Sequence, residues 1–202
     1  MPNFTFEDEA AGIVAGVDEA GRGPLCGPVV AAAVIINRKK ITLDLTASIN
    51  DSKKLQSKIR HKLVAAIYDC ATVGLGAASV SEIENLNILG ATMLSMSRAV
   101  KALPVLPESV LIDGNRLPDL PCASRTVVNG DNLSVSIAAA SIIAKVTRDS
   151  IMNKLELKYP GYGWAKNSGY GTREHKSALK KLGVTPHHRR LFAPVNKILS
   201  EI

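Results

Sequence analysis

The chain has 202 residues, of which 46% are hydrophobic and 21% charged, and it carries a net charge of +7. These proportions are typical of a globular protein with an ordinary hydrophobic core and exclude a disordered chain. Its three cysteines are far apart and odd in number and form no C-x-x-C pair, so neither a disulfide framework nor a zinc knuckle is indicated and reduced, structural thiols are favoured.

The first residues are acidic and lack the basic and apolar regions of a signal peptide. We expect residues 1–11 to be a flexible tail, and residues 12–202 to be one domain. The longest apolar run, residues 24–36, has 13 residues and is too short to span a bilayer. A cytoplasmic protein without membrane contact is therefore predicted, and a monomer is the default because no partner-binding peptide is visible.

The first half of the domain contains three β-rich runs and one helical run. Residues 13–18 and 29–36 are predicted strands joined by a glycine-rich loop, which together favour a hairpin. Residues 51–70 have apolar residues at four-residue spacing and predict a helix, and residues 72–80 predict a third strand.

The second half of the domain is mainly helical. Ser81 and Glu84 have the spacing of a capping box and predict the start of a helix. The remaining predicted elements are helix 81–103, strands 110–113 and 125–128, helix 133–158, a glycine and aromatic loop 159–171, and helices 172–182 and 188–199. This order predicts an α/β fold with a mixed sheet and a helical C-terminal region.

The positive charge lies mainly in that C-terminal region, from about residue 145 to residue 202. It has 12 Lys and Arg against 4 Asp and Glu, a balance of +8, whereas residues 1–144 have 13 against 14, a balance of −1. A basic segment predicts a polyanionic partner such as nucleic acid. A solvated basic surface is the alternative on charge alone.

Four carboxylates follow the ends of predicted strands, where ligands bind in open α/β sheets. Asp18 and Glu19 close the first strand, Asp113 closes the fourth, and Asp131 follows the fifth. Clustered carboxylates repel one another, and a hard divalent cation such as Mg²⁺ or Mn²⁺ removes that cost. The alternative is that each Asp only ends a strand, because Asp favours turns.

Glu19 presents a geometric difficulty, since consecutive residues of a strand point to opposite faces. Asp18 and Glu19 can share one site only if the strand breaks or bulges between them, and the glycines that follow favour such a bulge. The loop formed by Gly21, Arg22 and Gly23 also allows a phosphate to approach the backbone closely. An ordinary hairpin loop with a surface arginine is the alternative.

Seven segments resemble, in the order of the family, the motifs of ribonuclease HII. They are residues 16–30 (GVDEAGRGPLCGPVV), 51–55 (DSKKL), 112–115 (IDGN), 130–131 (GD), 136–149 (SIAAASIIAKVTRD), 169–172 (GYGT) and 188–195 (HRRLFAPV). The resemblance spans about residues 12–196. It implies the ribonuclease H-like fold, with a mixed five-stranded sheet flanked by helices.

The same resemblance implies an endonuclease that cuts the RNA strand of RNA–DNA hybrids. It also implies cleavage 5′ of ribonucleotides embedded in duplex DNA, which leaves a 3′-hydroxyl and a 5′-phosphate. The implied cofactor is Mg²⁺ or Mn²⁺ in a two-metal mechanism, with four catalytic ligands: Asp18, Glu19, Asp113 and Asp131.

Substrate contacts are implied as well. The Gly21-Arg22-Gly23 loop would recognise the ribonucleotide and its 2′-hydroxyl, and Tyr170 would pack against the sugar at the junction. Lys53 and Lys54 are candidate phosphate contacts, although either could be a solvated lysine at the start of a helix. One departure is that residues 167–170 read NSGY where many relatives have HKGY, so one backbone contact is in doubt, and Lys166 could replace it.

Several polar residues near these motifs are assigned other roles. Asp149 is expected to be structural, and Trp164 to pack in the interior. His187 and His188 are expected to lie near a phosphate or at a helix start and not to bind a metal. The segment 137–144 is predicted to be a core helix facing the sheet.

Two other functions stay open. A hybrid-binding protein without catalysis would be expected to lose one or more of the acids, and none is missing. Another nuclease of the same fold would not need both Gly21-Arg22-Gly23 and Tyr170.

Overall fold

The computed structural model describes residues 2–50 and 57–200. They form a five-stranded sheet with the strand order β3-β2-β1-β4-β5. The strands are β1 (Val14–Ala20), β2 (Val29–Ile36), β3 (Ala71–Ala78), β4 (Ser109–Asp113) and β5 (Ala123–Val127). Pairs β1–β2 and β2–β3 are antiparallel, and pairs β1–β4 and β4–β5 are parallel. The predicted mixed five-stranded sheet is therefore confirmed.

Helices flank this sheet, and those described are α1 (Thr5–Glu9), α2 (Leu43–Asn50), α3 (Ser57–Cys70), α4 (Val80–Lys101), α5 (Val135–Lys158), α6 (Trp164–Asn167), α7 (Arg173–Leu182) and α8 (Ala193–Ser200). The helical C-terminal region is confirmed. In the described segments no helix combines the length and the apolar character needed to cross a membrane.

The two long helices cover opposite faces of the sheet, and small residues let them approach. A Cβ atom at Gly16 of β1 would lie 2.3 Å from the backbone N of Ile137 in α5, and one at Gly76 of β3 would lie 2.1 Å from the carbonyl O of Ser95 in α4. Both faces of the central strands are therefore buried. This explains why the sequence of β2, which was predicted as a strand, is a continuous apolar run.

The N-terminal segment is not a loose tail in its described part, and the prediction for residues 1–11 was wrong there. Residues 5–9 form α1, and the buried Glu7 of that helix binds the start of α5. Glu7 Oε1 accepts hydrogen bonds from Ser134 Oγ (2.6 Å), Ser136 N (2.9 Å) and Ser136 Oγ (2.7 Å). An acid at a helix N-terminus is favourable because it complements the helix dipole.

Helix α4 begins earlier than its sequence suggests. The capping box is formed by Ser79 and Glu82, not by Ser81 and Glu84, because β3 ends at Ala78. Ser79 Oγ accepts from Glu82 N at 3.2 Å, and Glu82 Oε2 accepts from Ser79 N at 2.8 Å. Helices α2 and α6 were not predicted, and α8 begins at Ala193 instead of residue 188.

Candidate active site

Asp18 and Asp113 lie side by side at the ends of two parallel strands. Val17 of β1 pairs with Ile112 of β4, so the next residue of each strand is an aspartate at the same level. Val17 and Ile112 both pack in the core on the α4 side. Because side chains alternate along a strand, Asp18 and Asp113 both project towards α5, where Ser141 lies close enough to lower the pKa of Asp18.

Asp18 is a buried carboxyl, only 5% exposed, with two acids nearby. Burial raises its pKa well above the ordinary value, and the charges of Glu19 and Asp113 raise it further. Ser141 acts in the opposite direction, as does the hydrogen bond from the backbone N–H of Glu19 at 2.7 Å. A carboxylate in this position is destabilised until a cation neutralises it.

Glu19 approaches Asp18 without the bulge that was predicted. The register of β1 with β2 is continuous, with Asp18 opposite Ala32 and Glu19 opposite Ala31, so that prediction was wrong. Glu19 is the penultimate residue of β1 and lines a cavity together with Ser141 of α5. Glu19 is nevertheless close enough to raise the Asp18 pKa, and its Oε1 accepts a hydrogen bond from Arg22 Nη1 at 3.2 Å.

Asp131 is linked to the other acids through its neighbour Gly130. The backbone N–H of Gly130 donates to Asp113 Oδ1 at 2.6 Å. Asp131 itself lies in a 3₁₀ helix, Gly130–Asn132, and accepts a hydrogen bond from Asn132 Nδ2 at 2.9 Å. The structure thus groups Asp18 with Glu19 and Asp113, and it holds the backbone of Asp131 beside Asp113.

The chemistry of this donor set fits a hard divalent cation. The four candidate ligands are carboxylates, and Mg²⁺ and Mn²⁺ prefer oxygen ligands. Asp18 carries the clearest sign of fit, because its burial beside two other acids is unfavourable without a compensating positive charge.

Within residues 2–50 and 57–200, a different group has ligand atoms within 4.8 Å of one another: Cys26, His175 and His188. Hydrogen bonds already occupy both rings, since Trp164 Nε1 donates to His175 Nε2 at 3.0 Å and Thr185 N donates to His188 Nδ1 at 3.0 Å. Burial raises the pKa of the Cys26 thiol to about 12, which disfavours the thiolate that binds metals. This cluster is a hydrogen-bond network and not a metal centre.

His188 is only 1% exposed, so the expectation that it lies near a phosphate or at the start of a helix was wrong. Trp164 is buried as predicted and stacks on Tyr162 with ring centroids 4.8 Å apart. His187 is partly buried and packs edge-on against Tyr159 at 5.1 Å.

Arg189 stabilises the Gly21-Arg22-Gly23 loop through hydrogen bonds to its main chain. The sequence did not indicate this role. Arg189 is fully buried, and its Nη2 donates to the carbonyl of Gly21 at 2.5 Å and its Nη1 to that of Arg22 at 2.9 Å. The carbonyl of Gly27 accepts from Nε and Nη2 at 3.0 and 2.9 Å. Gly21 has φ +100°, a conformation that favours glycine.

A second buried arginine, Arg148 of α5, supports the far side of the same loop. Its Nε donates to Pro28 O, its Nη2 to Cys26 O and its Nη1 to Ser168 O, at 3.0, 3.0 and 2.8 Å. Burial, and then the charge of Arg148, lowers the pKa of Arg189 to about 9. Two cations bound by carbonyl oxygens thus lie under a loop predicted to meet an anionic substrate.

Tyr170 faces this loop and is 48% exposed. A Cβ atom at Gly23 would lie 3.5 Å from Tyr170 Cε1, so the ring lies against the bare backbone of the glycine. A cavity of about 390 Å³ opens between the loop, Tyr170 and α5, and Glu19 and Lys145 are among the residues lining it. The predicted recognition residues therefore border one cavity, and of the four acids Glu19 lines it as well.

Asp149 is held in a local polar network at the edge of the cavity. Its Oδ1 accepts from Lys145 Nζ at 2.7 Å and from Ser168 Oγ at 2.8 Å. Ser168, at the position where the resemblance implied a lysine, therefore contacts an acid within the protein. Lys166 is exposed. The other candidate phosphate contacts, Lys53 and Lys54, lie outside the described residues.

Comparisons with known proteins agree with this architecture. A family model described as Ribonuclease HII matches residues 15–195. Ribonuclease HII of Rhodospirillum rubrum is 54% identical over 202 residues, which cover 99% of this chain and 93% of that protein. Ribonuclease HII of Parvibaculum lavamentivorans is 57% identical over 204 residues, which cover 99% of this chain and 74% of that protein.

Solved structures show the same fold. Ribonuclease H2 from Pyrococcus horikoshii OT3 has a TM-score of 0.78 and 30% identity, over 93% of this chain and 97% of that one. The structure of Bst-RNase HIII in complex with Mn²⁺ has a TM-score of 0.75 and 21% identity, over 94% and 70% of the two chains, and it supports the fold alone.

Proposed function

The chain belongs to the ribonuclease HII family, and from that membership we propose that its catalytic centre is formed by Asp18, Glu19, Asp113 and Asp131. As a member of the family it is a hydrolase, an endonuclease of RNA–DNA hybrids that depends on divalent metal. The observation that carries the assignment is the pairing of Asp18 and Asp113 on adjacent strand ends, with Glu19 close enough to raise the Asp18 pKa.

We further propose that Mg²⁺ or Mn²⁺ is held by these four carboxylates. Bound divalent cations supply activation of a water and stabilisation of the departing 3′-oxygen. The protein contributes the placement of the ligands. Strands β1 and β4 fix Asp18 and Asp113, and the bond from Gly130 N–H fixes the orientation of the Asp113 carboxylate.

Recognition of the ribonucleotide is assigned to the cavity beside the acids. The Gly21-Arg22-Gly23 backbone and the Tyr170 ring border it, and both lie close enough to meet one nucleotide. We propose that contact with the 2′-hydroxyl there directs cleavage to the 5′ side of a ribonucleotide, including one embedded in duplex DNA, and leaves a 3′-hydroxyl and a 5′-phosphate.

The basic C-terminal region is proposed to supply the sequence-independent attraction for the duplex backbone. Helix α7 carries one arginine and three lysines, and Arg173, Lys176 and Lys180 border a shallow depression on it. A monomeric state and a cytoplasmic location stay predictions.

One experiment tests the assignment of the acids. Duplex DNA with a single embedded ribonucleotide is incubated with the wild-type protein or with D113N, with and without Mg²⁺ or Mn²⁺. We expect wild-type cleavage only with metal, and near-complete loss in D113N with retained duplex binding. Full activity of D113N would refute the proposed centre, and equal cutting of an all-DNA duplex would refute ribonucleotide recognition.

A further inference from the structure

A chain of buried hydrogen bonds ends on the main chain of Tyr170. His188 Nε2 lies 3.1 Å from His175 Nε2, and His175 Nδ1 lies 2.9 Å from the carbonyl O of Tyr170. Trp164 Nε1 is 3.0 Å from the same His175 Nε2. Both imidazole rings are buried, so water cannot replace these partners.

The donors at the two ends of the chain fix where the ring protons lie. The backbone N–H of Thr185 donates to His188 Nδ1 at 3.0 Å, so the proton of His188 is on Nε2 and points to His175. Trp164 Nε1 can only donate, so His175 Nε2 is an acceptor and the His175 proton is on Nδ1. That proton is therefore donated to the carbonyl of Tyr170.

Both rings must be neutral for this arrangement, and their surroundings favour that form. Burial lowers the pKa of His175. Burial and the neighbouring His175 ring lower the pKa of His188 to about 3. The proton order is therefore single and fixed at neutral pH.

The Tyr170 side chain is half exposed, so its position depends on how its main chain is held. Its carbonyl accepts from His175 Nδ1 and from Thr172 N (2.8 Å), and its N–H donates to Asn167 O at 2.9 Å. The ring lies against Gly23, which has no side chain. A small rotation of the Tyr170 backbone would therefore move the ring along the cavity wall.

We propose that His175 is a positioning residue for ribonucleotide recognition, acting through the Tyr170 main chain. This rests on the proposed function of Tyr170. His175 touches no substrate, and its ring delivers one directed hydrogen bond whose proton is fixed by Trp164 and His188. The hydrogen bond sets the angle at which Tyr170 meets the junction sugar.

Two substitutions of His175 distinguish the hydrogen bond made by Nδ1 from those made by Nε2. An Asn amide nitrogen can occupy the place of Nδ1 and keep a donor to the Tyr170 carbonyl, whereas a Gln amide reaches the place of Nε2 and loses that donor. Kinetics are measured on duplex DNA with one embedded ribonucleotide. We expect H175Q to lower kcat about tenfold with little change in KM, and H175N to recover most of the loss. Equal kcat values for H175N and H175Q would overturn the proposal.

A double-mutant cycle with Tyr170 identifies the route of the effect. If His175 acts through Tyr170, H175Q should cost nothing further in a Y170A background. A full, additive H175Q effect in that background would show a general structural role and overturn the proposal. Wild-type activity of Y170A alone would instead refute the proposed role of Tyr170, so the two failures are distinguishable.

A measurement on the unmodified protein keeps the proposal testable should the variants not fold. Nitrogen NMR of the histidine rings reports which ring nitrogen carries the proton. We expect neutral His175 protonated on Nδ1 at neutral pH, and a proton on Nε2 would overturn the proposal. H61N is the matched control for the kinetics, because His61 is an exposed residue of α3, and this change should leave kcat unchanged.

Discussion

Asp113 Oδ1 accepts a hydrogen bond of 2.6 Å from the backbone N–H of Gly130, which ties the end of β4 to the turn that carries Asp131. The two segments are separated by β5, so this bond sets the position of one proposed ligand relative to another. A Cβ atom at Gly130 would lie 2.6 Å from Ile137 Cδ1 and 3.3 Å from Asp113 Oδ1. The absence of a side chain therefore permits the contact.

We expect G130A to displace this turn from Asp113. Crowding against Ile137 should lower the free energy of unfolding by about 1–3 kcal/mol and reduce cleavage at least tenfold. Urea unfolding and single-ribonucleotide kinetics measure the two effects. G90A is the control and should retain activity, because Gly90 lies in α4, which covers the face of the sheet opposite to α5. Wild-type activity of G130A would mean that the Asp113–Gly130 contact does not position the site.

The ionised Asp18 side chain should lower the free energy of unfolding in the absence of metal. Its pKa is raised by burial and by two neighbouring acids, so the ionised form is unfavourable at neutral pH. We expect D18N to abolish cleavage but to raise the free energy of unfolding in chelator by about 1 kcal/mol or more.

Thermal unfolding with and without Mg²⁺ or Mn²⁺ measures this effect. Metal should stabilise the wild-type protein and have a much smaller effect on D18N. Identical stabilisation of the two proteins by metal would place the cation elsewhere.

Replacement of Arg189 by lysine should destabilise the Gly21-Arg22-Gly23 loop. Lysine keeps the charge, but its single nitrogen cannot occupy the places of Nε, Nη1 and Nη2, which donate to the carbonyls of Gly27, Arg22 and Gly21. We expect R189K to lose about 2–4 kcal/mol of stability, since buried carbonyls lose their partners. R190K, a change at an exposed neighbour, should be neutral, and comparable unfolding curves for R189K and R190K would contradict this role.

The buried His188 ring should weaken the fold in acid. Burial and the neighbouring His175 ring lower its pKa from 6.5 to about 3, so between these values the unfolded chain binds a proton that the folded chain does not. The free energy of unfolding should therefore fall as the pH decreases through this window, by about 1.4 kcal/mol per pH unit from this ring. Urea unfolding of the wild-type protein and H188Q measures it, and equal slopes would rule out this contribution.

Much of the fold follows from the sequence because hydrophobic burial leaves a direct pattern. Strand β2 was predicted with its observed bounds, since both of its faces are covered and every residue is apolar. The hairpin and the four acids at strand ends follow from similar local patterns. Glu19 shows the limit of this reasoning. A bulge was expected to bring it beside Asp18, but the strand is regular at this point and the two residues are close without one.

What the sequence could not predict depends on polar groups buried by distant segments. Glu7 belongs to an acidic stretch that is typical of a tail, yet it caps α5 from more than a hundred residues away. Arg148 and Arg189 were counted in the basic C-terminal excess, although both are buried and bound by carbonyls. The charge available to a duplex is therefore smaller than the composition indicates.

The hydrogen bond between Arg189 and Gly21 joins residues 168 positions apart in the chain. Arg189 follows every strand of the sheet and all four proposed metal ligands along the chain. The loop at Gly21 therefore gains this support only after the C-terminal segment has packed against it. Its folding depends on a contact of very high sequence separation, which is costly in chain entropy and forms slowly.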